Sequence, residues 1–331
     1  MRLRKKTDIN LRNSIIVTLS FLILCVCVYV VRGFCYSKNY ILEKASYYFF
    51  DENYFLAARY FEKAVKLRTL DLGVDGYRDY AQSLFNLENY DLAIKYFKLV
   101  TELDPFDFEN FYTLGNALYI KANNTGDKNS FLQACKYLKP AISLNPNSEK
   151  LYLLIGLCYR KCALYNEARL FYNKALMSQK FSKAGFYNLI GNTYRQEGLN
   201  QNALEYYERA KYSDPYFFIA YYNIGDIYFY FKDFEQALLY YKKSVEINKE
   251  FVAGYIKIAN MYYKNNDFKN SKSWALEALK INPNNSKINY ILGMSLLSLN
   301  QKEESLKYLR YAANCGDCEA VLSLKHFFNL E

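Results

Sequence analysis

Histidine is almost missing from this chain of 331 residues: there is one, His326, close to the C-terminal end. A lone histidine so placed leaves no Ser–His–Asp or Cys–His arrangement for nucleophilic catalysis. The 13 glycines are scattered and never cluster into a phosphate-cradling loop. No stretch alternates apolar and polar residues over strand length, so no strand is expected. A concentrated basic surface is also lacking. The net charge is +10, but residues 1–38 hold seven basic residues against one aspartate. The remaining residues carry only about +4, too little for the sustained phosphate neutralisation that nucleic-acid binding requires. Carboxylates such as Glu205 and Glu208 lie three apart on a solvated helix face, not as an acid–base pair in a cleft. No catalytic residue, cofactor, metal or small-molecule substrate is expected.

What the chain has in abundance is aromatic side chains, 18% of the sequence, set in a repeat. One copy reads Tyr187, Ile190, Gly191, Tyr194, Gly198, Ala203, Tyr207, Ala210, Pro215. Thirty-four residues on come Tyr221, Ile224, Gly225, Tyr228, Phe234, Ala237, Tyr241, Ser244. Upstream the register holds through Tyr152, Gly156 and Tyr172, through Leu114 and Gly115, through Tyr80, Ala81 and Phe97, and back to Ala45, Ala57 and Phe61. Downstream it continues through Ile258 and Ala278, then Leu292, Gly293 and Leu309. Self-similarity at this period marks stacked helical hairpins. Gly191 and Ala203 belong to consecutive helices and are small so that their axes approach to about 8–10 Å. The neighbouring aromatics fill the space beside them. Pro105, Pro146, Pro215 and Pro283 follow an Asp or Asn and mark repeat ends, since proline cannot continue a helix.

This register resembles the tetratricopeptide repeat family over roughly residues 38–317. The resemblance implies an all-α, right-handed solenoid of about eight helical hairpins, closed by a capping helix at 318–331. It also implies a scaffold that binds a protein or peptide partner in a concave groove, and not an enzyme. Carried over by register, the groove residues are Asn188, Asn192 and Arg195 on one first helix, Tyr222, Asp226, Phe229 and Tyr230 on the next, and Lys257, Asn260, Tyr263 and Lys264 on the third. Some members of the family clamp a partner's C-terminal carboxylate. Here Asn192 and Asn223 stand at the two Asn positions of that clamp and Lys257 replaces its Arg, while Asn188 and Ala253 stand where lysines are wanted.

Two irregularities interrupt the pattern. The register gains seven residues around 122–129, which reads as a surface insertion or as a change of curvature, and Pro140 should kink the helix that follows. Cysteines form two pairs, Cys158 with Cys162 and Cys315 with Cys318. More than four repeats separate them, too far for a shared zinc, so Cys158 is read as packing and Cys315-Gly316-Asp317-Cys318 as a local thiol pair.

The N-terminus departs from the repeat. Residues 13–31 carry no charge over 19 positions, long enough to cross a bilayer core, and residues 1–12 are a basic tail. A cleaved signal or a lipoprotein signal fits less well: Arg32-Gly33-Phe34 is a poor cleavage site, and Leu24 precedes Cys25 where a small residue is wanted. The expectation is a single-pass anchor with its N-terminus cytoplasmic and the repeats extracytoplasmic. The Lys-, Asn-, Ile- and Tyr-rich composition is that of an AT-rich genome and directs the reading to a bacterial envelope or secretion scaffold. The alternatives are an organelle import or chaperone-docking receptor with cytosolic repeats, and a structural subunit of a membrane complex.

Overall fold

The computed structural model describes residues 40–67, 71–177 and 183–328. The basic tail and the uncharged run at 13–31 lie outside them. Among the described residues no helix is long and apolar enough to cross a membrane, and no strand occurs. The chain divides into two compact units, one ending at Cys162 and the other starting at Ala163.

The first unit holds α1 (residues 40–50), α2 (Tyr54–Lys66), α3 (Gly73–Asn86), α4 (Tyr90–Leu103), α5 (Phe108–Thr125), α6 (Lys128–Leu144) and α7 (Glu149–Lys161). The second holds α8 (Tyr165–Leu176), α9 (Lys183–Gln196), α10 (Asn200–Ser213), α11 (Phe218–Tyr230), α12 (Phe234–Ile247), α13 (Val252–Lys264), α14 (Phe268–Ile281), α15 (Ser286–Ser298), α16 (Lys302–Asn314) and α17 (Cys318–Phe328). From α2 to α7, and again from α8 to α17, each helix packs against its successor. Each unit is therefore a stack of antiparallel hairpins.

The wedge positions of the register are the most deeply buried side chains. Phe61, Phe97, Leu138, Tyr172, Tyr207 and Tyr241 are fully enclosed. Burying a side chain of this size contributes roughly 1.5–3 kcal/mol. The small residues opposite them leave no room for anything larger. A Cβ on Gly191 would lie 2.6 Å from the Tyr207 ring, and one on Gly225 would lie 2.8 Å from the Tyr241 ring. Both glycines are therefore there for helix contact.

Within a hairpin the turn repeats one device. A residue in the left-handed region ends the first helix: Glu52, Glu88, Lys232, Asn266 and Asn300 at φ near 60°, with Gly198 in the same role; Gly316 adopts the same conformation in the turn from α16 to α17. The next residue is often an Asn or Asp that caps the second helix. Asp233, for example, accepts from the backbone N–H of Gln236 at 3.1 Å, and Asn53, Asn89 and Asp267 do the same for their helices. Placing Lys232 at φ 63° is a strain glycine would relieve, and the closing bond from Asp233 N–H to the Tyr228 carbonyl, 2.9 Å, holds it there. Pro105, Pro146, Pro215 and Pro283 lie in the turns after α4, α6, α10 and α14.

The seven added residues near 122–129 are absorbed by helix and form no extended surface loop. Helix α5 has 18 residues, four more than α9, and α6 has 17, three more than α10. Gly126 terminates α5 in the left-handed region, and Asp127 caps α6 through the N–H groups of Asn129 and Ser130. Pro140 lies inside α6, which remains helical to Leu144.

Candidate functional site

Helix α11 has almost no polar face: Phe218-Ile219-Ala220-Tyr221-Tyr222-Asn223-Ile224-Gly225-Asp226-Ile227. A helix apolar on every side is one that packs on every side. Its two polar residues, Asn223 and Asp226, are both buried and both bonded. Asn223 donates from its amide to the Asn188 carbonyl oxygen at 2.7 Å, joining α11 to α9. Asp226 is more heavily engaged. The Tyr241 hydroxyl donates to Oδ1 at 2.6 Å, Lys257 Nζ lies 2.8 Å from the same oxygen, and Arg195 Nη2 lies 3.0 Å from Oδ2. One carboxylate with 7% side-chain exposure thus ties α9, α12 and α13 to α11. Three donors, two of them cationic, offset the cost of burying that charge.

The electrostatics follow from this placement. Burial, and then the hydrogen bond to Asp226, push the Tyr241 hydroxyl far above its ordinary pKa. Tyr222 is pushed up to about 12 by burial first and by the Asp226 charge second, with Arg195 opposing. Its ring lies 5.6 Å from that of Tyr241 and 5.1 Å from that of Phe251, and the Lys257 ammonium stands 5.7 Å from its centre.

The residues expected in the groove therefore divide into four sets. Asp226, Arg195 and Lys257, with the Tyr222 ring beside them, form the linked network just described. Outside it, Asn188 bonds separately to Asn223, and Asn192 accepts from the Tyr207 hydroxyl at 2.8 Å within its own hairpin. Each clamp position that the sequence offers, Asn192, Asn223 and Lys257, thus already has an internal partner. Phe229 and Tyr230 line a cavity of about 470 Å³ with Arg195, Asp226 and Lys257, and the Tyr230 ring is 66% exposed. Asn260, Tyr263 and Lys264 lie on the next first helix and line a separate cavity of about 370 Å³.

Nothing in this arrangement pairs a nucleophile with a base. Asp226 has its oxygens committed to donors. No cluster of His, Cys, Asp and Glu among the described residues is arranged for a metal. Cys135 and Cys158 are buried in the first unit, where the Cys135 thiol faces the Ile155 carbonyl at 3.8 Å. Cys315 and Cys318 are exposed free thiols at the turn between α16 and α17.

Residues 149–180, 184–217 and 252–285 match one model described as tetratricopeptide repeat, 218–251 match a second, and 42–108 match a third. Together these take in more than half of the sequence. The chain belongs to the tetratricopeptide repeat family. Among solved structures this tetratricopeptide repeat chain is similar to PilF of Pseudomonas aeruginosa, 17% identical with TM-score 0.51, over 68% of this chain and 93% of that one. It is also similar to a monomeric mutant of IFIT1, 17% identical with TM-score 0.50, over 86% and 71%. A third, YrrB, described as a TPR protein with an unusual peptide-binding site, is 20% identical with TM-score 0.45, over 58% and 100%. At such identities the likeness is one of fold alone. The sequence has no match among the curated proteins.

Several residues that shape this part of the repeat array escaped the groove register. Tyr241 is a wedge, yet its hydroxyl anchors Asp226. The signal was available: tyrosine at an enclosed position needs a partner for its O–H, where phenylalanine would not. Lys232 and Phe234 belong to the hairpin turn and the start of the second helix, and both line the cavity beside Tyr230. The tetratricopeptide groove pattern considers first helices only, so it passes over them.

Proposed function

We propose that the chain is a membrane-anchored adaptor that holds a protein or peptide partner along the first-helix face of its second unit. Tetratricopeptide repeats serve as protein-interaction scaffolds, and this one follows that use. The observation that carries the site is the cavity of about 470 Å³ that α9, α11 and α13 line jointly, with Tyr230 exposed at its edge. A large aromatic with a polar tip, left out of the core and flanked by rigidly held cations, is the composition of a binding hot spot. Asn260, Tyr263 and Lys264 extend the same face by one repeat. The buried network beneath holds this surface in shape before a partner arrives, so little ordering cost remains on binding.

The anchor reading rests on the uncharged run at 13–31 and the basic tail before it, with the repeats extracytoplasmic in a bacterial envelope or secretion assembly. Repeats over 38–317, stacked with right-handed curvature and closed by the segment 318–331, complete the layout. Chaperone docking through a carboxylate clamp is disfavoured because Asn192, Asn223 and Lys257 are bonded internally.

The test uses the full chain extracted from native membranes. Tyr230→Ala combined with Asn260→Ala should abolish co-purification of the partner while helical content and melting midpoint stay nearly unchanged. Unchanged capture by the double variant would remove this face as the site. Protease added outside spheroplasts should digest the repeats and spare the tail; protection of the repeats would reverse the topology.

A further inference from the structure

The cavity beside Tyr230 has a neighbour. A second cavity of about 450 Å³ is lined by Leu238, Met261 and Tyr262, with Lys264 and Glu235 also on its wall. The two cavities share Phe229 and Phe234, whose rings meet edge to face with centres 5.6 Å apart. The shared wall stands at the turn end of the α11–α12 hairpin. The two compartments differ in chemistry. The first has three cations, Arg195, Lys232 and Lys257, against one carboxylate. That carboxylate, Asp226, is buried beneath the network, whereas the Arg195 and Lys257 side chains remain 43% and 37% exposed. Lys232 is exposed and has no ion-pair partner among the described residues. The second compartment is walled mainly by aromatic and aliphatic side chains, with Glu235, Lys264 and Asn265 as its polar members and no surplus of either charge.

From this pairing we infer that the face takes an extended peptide segment carrying an acidic side chain and a large aliphatic side chain two residues apart. The inference rests on the proposed adaptor reading and names the partner's chemistry. In an extended chain, side chains i and i+2 leave the same side about 7 Å apart. That spacing straddles a wall one aromatic pair thick. The acidic group enters the compartment with surplus positive charge, and the aliphatic group enters the apolar one. A phosphodiester strand could place a phosphate in the first compartment and would have to stack a base in the second, so a nonanucleotide serves as the competing ligand in the test. The site uses the turn residue Lys232 and the second-helix residue Phe234, and neither clamp asparagine.

Fluorescence anisotropy with the purified full chain in detergent tests this. The probes are two capped, fluorescein-labelled nonapeptides, acetyl-GGSESLSGG-amide and acetyl-GGSLSESGG-amide, since the cavities leave chain direction open. Saturable binding of either is expected. Replacing the peptide's Glu by Gln should weaken it about tenfold, the loss of one charge-assisted contact. Replacing its Leu by Ala should weaken it roughly tenfold through lost apolar burial. On the protein, Lys232→Glu and Phe234→Ala alter exposed side chains and should each reproduce one of these losses without moving the melting midpoint. Lys232→Glu should also erase the preference for Glu over Gln in the peptide, because it leaves two cations facing two carboxylates. The inference is overturned if the Gln and Ala peptides bind as well as their parents, if Lys232→Glu leaves affinity unchanged, or if a labelled nonanucleotide competes more tightly than either peptide. Should membrane capture through Tyr230 and Asn260 persist while both peptides fail, the acidic–aliphatic rule falls and the adaptor reading stands. Loss of both would remove both.

Discussion

Hairpins α5–α6 and α11–α12 solve one packing problem in two ways. In each, a glycine on the first helix admits the partner helix and a wedge from the second helix fills the gap. At Gly115 the wedge is Leu138, whose methyl groups crowd the glycine and do nothing else. At Gly225 the wedge is Tyr241, whose hydroxyl reaches past the contact to Asp226. That added oxygen brings a buried carboxylate with it, and the carboxylate draws Arg195 and Lys257 from the flanking repeats. A change confined to the core thus orders charges on the surface above it. The first unit also carries a part-buried carboxylate, Asp79, on α3. Its neighbour Arg78 is engaged elsewhere, with Asp75 at 2.6 Å and with Asn110 at 3.1 Å. Burial first, and then Asp75, push the Asp79 carboxyl up to about 6, with Arg78 offsetting only part. The lesson is that of these two carboxylates withdrawn from water, the one on which donors from several hairpins converge has its charge offset by them, and the one without such donors is pushed toward its neutral form.

The largest effect expected is from overfilling. Gly225→Leu meets the tethered Tyr241 ring and the Ala237 carbonyl, 3.2 Å from a bare Cβ, and should cost about 3 kcal/mol or more, lowering the melting midpoint by roughly 5 °C or more. Gly115→Leu meets the Leu138 side chain, whose Cγ and Cδ2 crowd a bare Cβ, but no backbone atom is among its nearest contacts and no hydrogen bond tethers the Leu138 side chain, so it should cost less. Equal midpoints in circular-dichroism melts would erase the distinction between the two wedges.

Next comes the network. Asp226→Ala leaves the Tyr241 hydroxyl buried without an acceptor, at about 2–3 kcal/mol in denaturant titration. Asp226→Asn keeps an acceptor and should recover part of that loss. An Ala variant as stable as the parent would show that the carboxylate is dispensable.

Asp79 should behave in the opposite sense. Its raised pKa means that its contribution is fully favourable below pH 4 and is lost as pH rises through about 6. Asp79→Asn should therefore raise stability at pH 7.5, by about 1 kcal/mol once solvent screening of this half-exposed group is allowed for, and give no gain at pH 4. A pH-independent difference would contradict the assignment.

The smallest effect lies at high pH. With Tyr222 held near 12 against an ordinary 10.0, its contribution is complete below pH 10 and declines between pH 10 and 12. Tyr222→Phe should flatten that part of the stability profile, read by chemical denaturation at each pH.

Much of this was legible in the residues. The period of the small residues and wedges placed the hairpins, Pro105, Pro146, Pro215 and Pro283 placed the repeat ends, and Gly191 and Gly225 declared their contacts. The insertion near 122–129 was not legible as helix, because Asn, Thr and Gly read as loop; in the structure Asn123, Asn124 and Thr125 continue α5 while exposed, with Thr125 Oγ1 donating to the Lys121 carbonyl at 3.0 Å and Lys161 Nζ to Asn123 Oδ1 at 2.7 Å. The groove register gathered Arg195, Asp226 and Lys257 onto neighbouring helices. It had no means of telling that they bond to one another, nor that Tyr222 leans on Phe251.

By itself the sequence determined that this chain is a stack of helical hairpins with aromatic wedges, because periodic burial is a property of spacing along a helix and needs no knowledge of neighbours. Only the tertiary structure decided which polar side chains are satisfied inside and which stay exposed. A hydrogen bond between residues 15 or 31 positions apart, Tyr241 or Lys257 to Asp226, depends on how adjacent helices are rotated to within an ångström. Residue types alone do not encode that rotation; it emerges when glycines and wedges of successive hairpins settle against each other.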